Sequence, residues 1–389
     1  MNSTYDIAIV GAGPAGSSLA IRLAQAGKRV LLVEKDKFPR QKLCGEFISP
    51  ECLSHFAELG VLAQMSDGGG VELTETIFYS RSGRGVVVPS SMFGSLHRHA
   101  LGLSRAEMDL RLMQRAAGTG VEVRERTLAS LVTNGARATG LLLKEAGQTS
   151  STPAQIGAAL VVDASGRGRA MSRNLVASSF GKAKLVAFKT HATGVDLPTG
   201  RCEIFSYRGG YGGTNRVEGG FHNLCFIASA ADVRRLGSNA ESVFRETVCS
   251  NERAKRVFRD VRFENEWLAV PIDRFGRGEL VPLPGLLAIG DAASFIDPFT
   301  GSGMLLALES ARLAAECVLE AGDVALEYQK RYSAIFDRRL KVCSWIRRVS
   351  LVPFMTEATV LALNLSTGFR NRLVAATRQT VAEPDEVIR

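Results

Sequence analysis

Asp6-Ile7-Ala8-Ile9-Val10-Gly11-Ala12-Gly13-Pro14-Ala15-Gly16 decides the fold of this chain. Ile7 to Val10 is a short apolar run that reads as a buried parallel strand. Gly11 permits the tight turn after it, and Gly13 lets the backbone approach a pyrophosphate. Gly16 lets the next helix pack close to the strand. That helix is predicted from Pro14 and Ala15 to Ala26, with its N-terminal amides and positive dipole end facing the phosphates. Gly27 stands where a terminating glycine is common. Val30 to Val33 reads as a second strand. Glu34 at its end can accept hydrogen bonds from both ribose hydroxyls and would repel a 2′-phosphate. Lys35 and Arg40, just beyond it, are counted with the same binding set.

A second grip lies far along the chain, in Gly285-Leu286-Leu287-Ala288-Ile289-Gly290-Asp291. Leu286 to Ile289 reads as a strand, and Asp291, just past Gly290, can hold a hydroxyl of a ribityl chain. Ile296-Asp297-Pro298-Phe299-Thr300-Gly301-Ser302-Gly303 then leads into a helix starting at Met304. Backbone amides at that helix start suit the negative charge of a reduced flavin. Pro298, Gly301 and Gly303 are therefore candidate catalytic positions. The first grip alone indicates a dinucleotide; the two together indicate FAD.

The 389 residues suffice for two domains, and 46% apolar with 22% charged content is that of a soluble globular protein. Met1-Asn2-Ser3-Thr4-Tyr5 runs into the first strand without a secretory signal, and no run of apolar residues is long enough to span a bilayer. Seven scattered cysteines without C-x-x-C pairing point to reduced thiols, a cytoplasmic location and no metal site. The net charge of +9 is spread along the chain, with no aromatic-basic recognition motif. Nucleic acid is not an expected partner; the basic surface suits anionic cofactors or lipids.

The expected fold is α/β: a FAD-binding Rossmann-like domain with an inserted, mostly antiparallel β-sheet substrate domain and a helical C-terminal tail. Residues 1–75, 100–178 and 276–320 form the discontinuous first domain. Residues 76–99 and 179–275 form the second, and 321–389 the helical region. Thr74 to Tyr79 and Gly85 to Pro89 read as paired strands. Ser104 to Ala117 reads as a helix whose N-cap, Ser104, forms a capping box with Glu107. Val121 to Val123, Leu128 to Val132 and Gly140 to Lys144 suggest an antiparallel meander. Ala158 to Val162 is a further buried strand ending at Asp163. His97 and His99, if on a strand, share one face, which is either a cavity wall or an exposed polar surface. Tyr211 among its glycines reads either as a loop over a pocket or as a plain turn.

By these motifs the chain resembles the FAD-dependent oxidoreductase superfamily of aromatic hydroxylases, geranylgeranyl reductases and tryptophan-type halogenases, over residues 1 to about 320. The matching stretches are Gly11/Gly13/Gly16 with Glu34, Val161-Val162-Asp163-Ala164-Ser165-Gly166, and Gly290-Asp291 through Gly303. The middle one usually reads Asp-Gly; here Ala164-Ser165 intervenes before Gly166. The resemblance implies that Asp163 and Gly166 contact FAD and that Arg105 stands beside the pyrophosphate. Lys42-Leu43-Cys44-Gly45-Glu46 resembles the segment passing the flavin ring in the reductase branch. Cys44 then either touches flavin or substrate, or is a small buried hydrophobe. NAD(P)H is the implied transient electron donor, bound without its own fingerprint; a separate flavin reductase is another route.

Family halogenases carry Trp-x-Trp-x-Ile-Pro, whereas Glu266-Trp267-Leu268-Ala269-Val270-Pro271 has one Trp and does not match. Prenyl reductases carry Tyr-x-Trp-x-Phe-Pro, whereas Tyr211-Gly212-Gly213-Thr214-Asn215-Arg216 lacks both Trp and Pro. Elimination leaves a monooxygenase that hydroxylates or oxidises an aromatic or polyketide-like molecule through a flavin C4a-hydroperoxide, as in secondary metabolism. The alternative is geranylgeranyl-reductase-like reduction of C=C bonds in a lipid or prenyl substrate, favoured by the segment around Cys44. A nicotinamide dehydrogenase and a non-catalytic flavoprotein are the readings outside this class. The tail from Arg347 to Leu373 mixes arginines with apolar residues, and either covers the pocket or lies on a membrane surface.

Overall fold

The computed structural model describes residues 4–93, 96–147, 152–175, 183–272, 274–297, 299, 301–320 and 322–378. The apolar run after the N-terminus forms the strand Thr4–Val10, flanked in parallel by Val30–Val33 and Ala154–Asp163. Glu122–Arg124 extends the parallel set beyond Val30–Val33, and Leu286–Ala288 extends it beyond Ala154–Asp163. Helices Pro14–Gln25, Arg105–Gly118 and Gly303–Glu320 pack together, and their apolar residues share one core with Ile7, Ile9, Val30 and Leu32. The parallel strands all end on one edge of this sheet, where α/β proteins bind their ligands.

The expected meander is displaced by one strand. Glu122–Arg124 pairs in parallel at the sheet edge, while the meander is Thr127–Asn134, Arg137–Glu145 and the first half of Ala154–Asp163. Ala154–Asp163 is ten residues long, enough to pair Arg137–Glu145 with one half and Leu286–Ala288 with the other. Ser104 caps the helix Arg105–Gly118 by accepting from Glu107 N at 3.2 Å. The reciprocal half of the capping box is absent. Ser104 N donates instead to Glu218 Oε2 at 2.9 Å, and the Glu107 carboxylate accepts from Arg111.

The second sheet has eight strands. Glu75–Tyr79 and Gly85–Pro89 form a hairpin that joins Arg201–Tyr207 in parallel, and the remaining pairings are antiparallel. One face of this sheet is closed by an aromatic core of Phe188, Phe205, Phe226, Phe244 and Phe258. The other face turns towards the nucleotide edge of the first sheet. The C-terminal helices Val324–Ser350, Pro353–Leu365 and Thr367–Thr377 complete the enclosure. Val360 and Leu363 pack on Val86, and Asn364 Nδ2 donates to Gly85 O at 3.0 Å. The molecule is thus an α/β protein with a Rossmann-like sheet, a largely antiparallel second sheet and a helical C-terminal region.

Candidate active site

Gly11 turns the chain at φ +106°, a conformation side-chain-bearing residues rarely adopt, and a Cβ there would lie 2.4 Å from Ala164 O. At Gly16 a Cβ would lie 1.9 Å from Gly11 O, so its role is close packing of helix on strand. Glu34 closes the turn: Oε2 accepts from Ala12 N at 3.1 Å and Oε1 from Asp36 N at 3.2 Å. Arg40 bridges Glu34 Oε2 at 3.1 Å to Asp109 Oδ2 at 2.8 Å. Asp109 in turn holds Arg105 by two bonds, Nε at 2.9 Å and Nη2 at 2.7 Å. This chain of alternating charge brings both guanidinium groups to Gly13, whose Cβ position lies 3.7 Å from Arg105 and 4.0 Å from Arg40. Two arginines beside a glycine at a helix start are the donor set a pyrophosphate requires.

These residues form one end of a cavity of about 780 Å³. Asp291, Gly301, Gly303 and Met304 line it from the second grip. Asp291 makes no hydrogen bond or ion pair among the described residues, and burial pushes its carboxyl up to about 6. A desolvated acceptor without a protein donor fits a ligand that brings hydroxyl groups. On this observation, and on the donors around Gly13, the residues fit FAD. Glu34 would take the ribose, Arg40 and Arg105 the pyrophosphate, Asp291 the ribityl chain, and the amides before Gly303–Glu320 the ring.

Midway along the cavity lies the turn Cys44-Gly45-Glu46. The Cys44 Sγ accepts from Glu46 N at 3.4 Å, and burial raises the thiol pKa despite the Arg105 charge, so the thiol is protonated. Glu46 has φ +51° and is fully buried. Its Oε1 accepts from Lys189 Nζ at 2.5 Å and from Arg105 N at 2.9 Å; its Oε2 is 2.7 Å from His191 Nε2. Burial alone would raise its pKa, but the His191 hydrogen bond and the Lys189 charge outweigh it and hold the carboxyl below its ordinary value. Across the cavity, Tyr211 O–H donates to Asp297 Oδ1 at 2.5 Å. Burial, and then the Asp297 charge, push the phenol well above its usual range.

Of the sequence-derived set, Gly11, Gly13, Pro14, Ala15, Glu34, Lys35, Arg40, Cys44, Gly45, Arg105, Gly166, Asp291, Gly301, Gly303 and Met304 line the one cavity. Gly16, Asp163, Gly290 and Ser302 do not. Asp163 is a correction to the expected direct contact. Its carboxylate is spent on Ser165 N, Ser165 Oγ, Met171 N and Ser172 Oγ, which fold the turn that presents Gly166. Gly290 and Ser302 are packed beneath the second grip. Pro298 falls outside the described residues. His97 and His99 lie in a loop rather than a strand, with His99 3.8 Å from Glu72, and neither reaches the cavity. Tyr211 is neither a covering loop nor a turn; it sits inside the strand Gly210–Arg216 with its ring on the cavity wall.

Sequence reasoning missed Asp109, Lys189, His191 and Asp297 and gave Glu46 no role. One signal was available: Lys189 and His191 stand two apart in the apolar strand Leu185–Thr193, on the face that also carries the cavity-lining Ala187. Buried basic residues at such positions need an acid opposite. Asp109 gave less warning, since Arg105 and Asp109 read as an ordinary surface pair four apart on a helix.

The model of the FAD binding domain family matches residues 4–208. Digeranylgeranylglycerophospholipid reductase of Methanosarcina mazei is 29% identical over 350 residues, covering 84% of this chain and 78% of that protein. Menaquinone reductase of Mycolicibacterium smegmatis is 28% identical over 346 residues, covering 83% and 78%. Among solved structures, the flavin-dependent brominase Bmp2 superposes with a TM-score of 0.79 at 22% identity, covering 96% of this chain and 94% of that one. A geranylgeranyl bacteriochlorophyll reductase-like protein of Thermoplasma acidophilum superposes with a TM-score of 0.74 at 20% identity, covering 98% and 94%. At these identities the superpositions speak for the fold alone. The family match, together with the two grips on one cavity, shows that this chain belongs to the FAD binding domain family and is an FAD-dependent oxidoreductase.

Proposed function

We propose that this protein reduces C=C bonds in a lipid that carries an isoprenoid chain. One observation carries the reading: part of the cavity wall is an apolar cluster built by the second sheet and the C-terminal helices. Phe78 and Val86 come from the second sheet, and Val360, Leu363 and Leu373 from the C-terminal helices. Such a wall suits a long, unbranched-in-polarity chain rather than a small polar acid. The names borne by the two relatives above, a digeranylgeranylglycerophospholipid reductase and a menaquinone reductase, support it. The absence of the Tyr-x-Trp-x-Phe-Pro element does not oppose it, because Gly213 and Asn215, at the Trp and Phe positions, line the cavity.

Bound FAD supplies hydride transfer or oxygen activation; the chain's own groups decide which is used. Saturating a C=C bond needs a hydride on one carbon and a proton on its neighbour, with NAD(P)H as the proposed source of the electron pair. Tyr211 presents a protonated hydroxyl at the cavity wall, held in place by Asp297 and by an edge-on contact with Phe299 at 4.9 Å. The Tyr211–Asp297 pair is the proposed proton source: once Asp297, whose carboxyl burial pushes up, takes a proton, it donates to Tyr211 and frees the phenol's own proton for the substrate, while the apolar lining keeps water from competing.

A second reading, oxidation of an aromatic or polyketide-like molecule by a monooxygenase, is favoured by the rings of Phe78, Phe299 and Tyr211 on the same wall. The FAD-loaded protein, incubated with NADPH and a prenyl lipid or a phenol, with and without oxygen, separates the two. A saturated product formed anaerobically supports the reductase. An oxygenated product that requires oxygen, with no saturated one, sinks it.

A further inference from the structure

The helix Pro353–Leu365 is apolar on both of its faces. Its inner face sends Thr356, Val360 and Leu363 to the cavity. On its outer face Phe354, Ala358, Leu361 and Leu365 follow one another at spacings of four, three and four, which is one stripe along a helix. All four are exposed, Phe354 to 81% and Leu365 to 79%. Met355 and, on the next helix, Phe369 are exposed beside them. Single exposed apolar residues are ordinary, but a continuous stripe of them marks an interaction surface.

Charge says what covers it. From Trp345 to Arg378 inclusive there are five arginines, of which Arg347 faces Asp297 and Arg378 faces Glu51, and one acid, Glu357. Glu357 is already engaged, accepting from Ser82 N at 2.9 Å and Ser82 Oγ at 3.0 Å. Arg348 and Arg372 are exposed and make no ion pair among the described residues. Arg348 and Arg372 flank this helix in the chain, five positions before its first residue and seven after its last, and a second copy would meet them with the same unpaired charge. An anionic bilayer offers both complements at once, acyl chains for the stripe and phosphates for the arginines.

We propose that the helix Pro353–Leu365 and the arginines beside it dock this protein on an anionic lipid bilayer. The helix is then both the bilayer contact and a wall of the cavity, so a lipid chain enters without crossing water. This entry route rests on the reductase reading above; the docking itself does not.

The test is co-sedimentation of the full-length, FAD-loaded protein with phosphatidylcholine vesicles, with or without phosphatidylglycerol. Pelleting is expected with the anionic vesicles and is weakened by salt. Phe354→Asp and Leu365→Asp, both at exposed positions, each lower apparent lipid affinity by about tenfold. Arg348→Gln with Arg372→Gln lowers it about thirtyfold on anionic vesicles only. Retained flavin absorbance shows that each variant is folded. Protein that stays in solution with anionic vesicles, or pellets equally as Phe354→Asp, overturns the proposal. So does a dimer that Phe354→Asp dissociates while vesicle binding is unchanged. Turnover of a detergent-dispersed prenyl substrate without vesicle binding sinks the docking and spares the reductase; vesicle binding without any C=C reduction does the reverse.

Discussion

Lys189 Nζ lies 2.5 Å from Glu46 Oε1, with both side chains buried, and this pair ties the second sheet to the turn at the centre of the cavity. Lys189 also donates to Gln41 at 2.8 Å, and His191 takes the other carboxylate oxygen of Glu46. Two sequence-distant segments, the strand Leu185–Thr193 and the start of the helix Arg105–Gly118, therefore converge on one carboxylate. Removing one partner of a buried pair typically costs about 3–5 kcal/mol, because the other charge is left uncompensated. Lys189→Met is expected to lose stability in that range by urea unfolding at neutral pH. A loss below about 1 kcal/mol, the scale of an exposed pair, would show that water reaches Glu46.

The same carboxylate sets a pH dependence. Its folded pKa is held below the ordinary value of 4.5. The group therefore stabilises the fold fully above its unfolded pKa, and that contribution is lost as pH falls through the folded one. Glu46→Gln should be less stable than the parent at neutral pH, and the gap should narrow on acidification below the ordinary carboxylate range. A gap that stays constant down through that range would assign the acid sensitivity to other groups.

Asp109 sits between Arg40 and Arg105, so it is the counter-ion that both arginines use when no pyrophosphate is bound. Asp109→Asn is expected to destabilise the FAD-free protein by about 3–5 kcal/mol. With FAD bound, the ligand's own charge replaces part of the missing one, and the loss should be visibly smaller. Equal losses in the two forms, read as melting temperatures, would separate this network from the cofactor.

Tyr211→Phe keeps the ring on Phe299 and removes only the hydroxyl that Asp297 accepts. If that hydroxyl delivers the proton, kcat for C=C reduction falls by roughly 100-fold or more while FAD content and flavin reduction by NADPH stay as they were. Unchanged kcat would move the proton source elsewhere on the wall, with the Cys44 thiol next in line.

How much of this was legible in the sequence follows from the range of each interaction. Gly11, Gly16 and Glu34 act within one strand-turn-helix-strand unit, so their spacing alone carried the fold. The Asp163 motif was read one step too far: the residue is at the right edge, but its own turn consumes the carboxylate. Glu46 and Lys189 stand 143 positions apart in the chain, and nothing local marks such a pairing. Tyr211 was misplaced because Gly210, Gly212 and Gly213 suggest a turn. In the sheet these glycines instead make room: a Cβ at Gly212 would lie 2.7 Å from Phe226 Cβ, and one at Gly213 would lie 2.6 Å from Ile204 Cδ1.

Asp291 offers the sharpest reading of the cofactor itself. Burial raises its carboxyl to about 6 in the FAD-free protein, so near neutrality it is mostly ionised and at pH 5 mostly protonated. An ionised carboxylate is the stronger acceptor for a ribityl hydroxyl, and a donated hydrogen bond lowers its pKa in the complex. FAD binding must then release protons below about pH 6, and affinity must strengthen as pH rises through that value and level off above it. Isothermal titration of FAD into the FAD-free protein at pH 5 and pH 7.5, in buffers of different ionisation enthalpy, reads both quantities. In Asp291→Asn the carboxamide still accepts but no longer titrates, so the slope between those pH values should flatten. An Asn variant that keeps the parent's full pH dependence would place the titrating group elsewhere and leave Asp291 with no part in holding FAD.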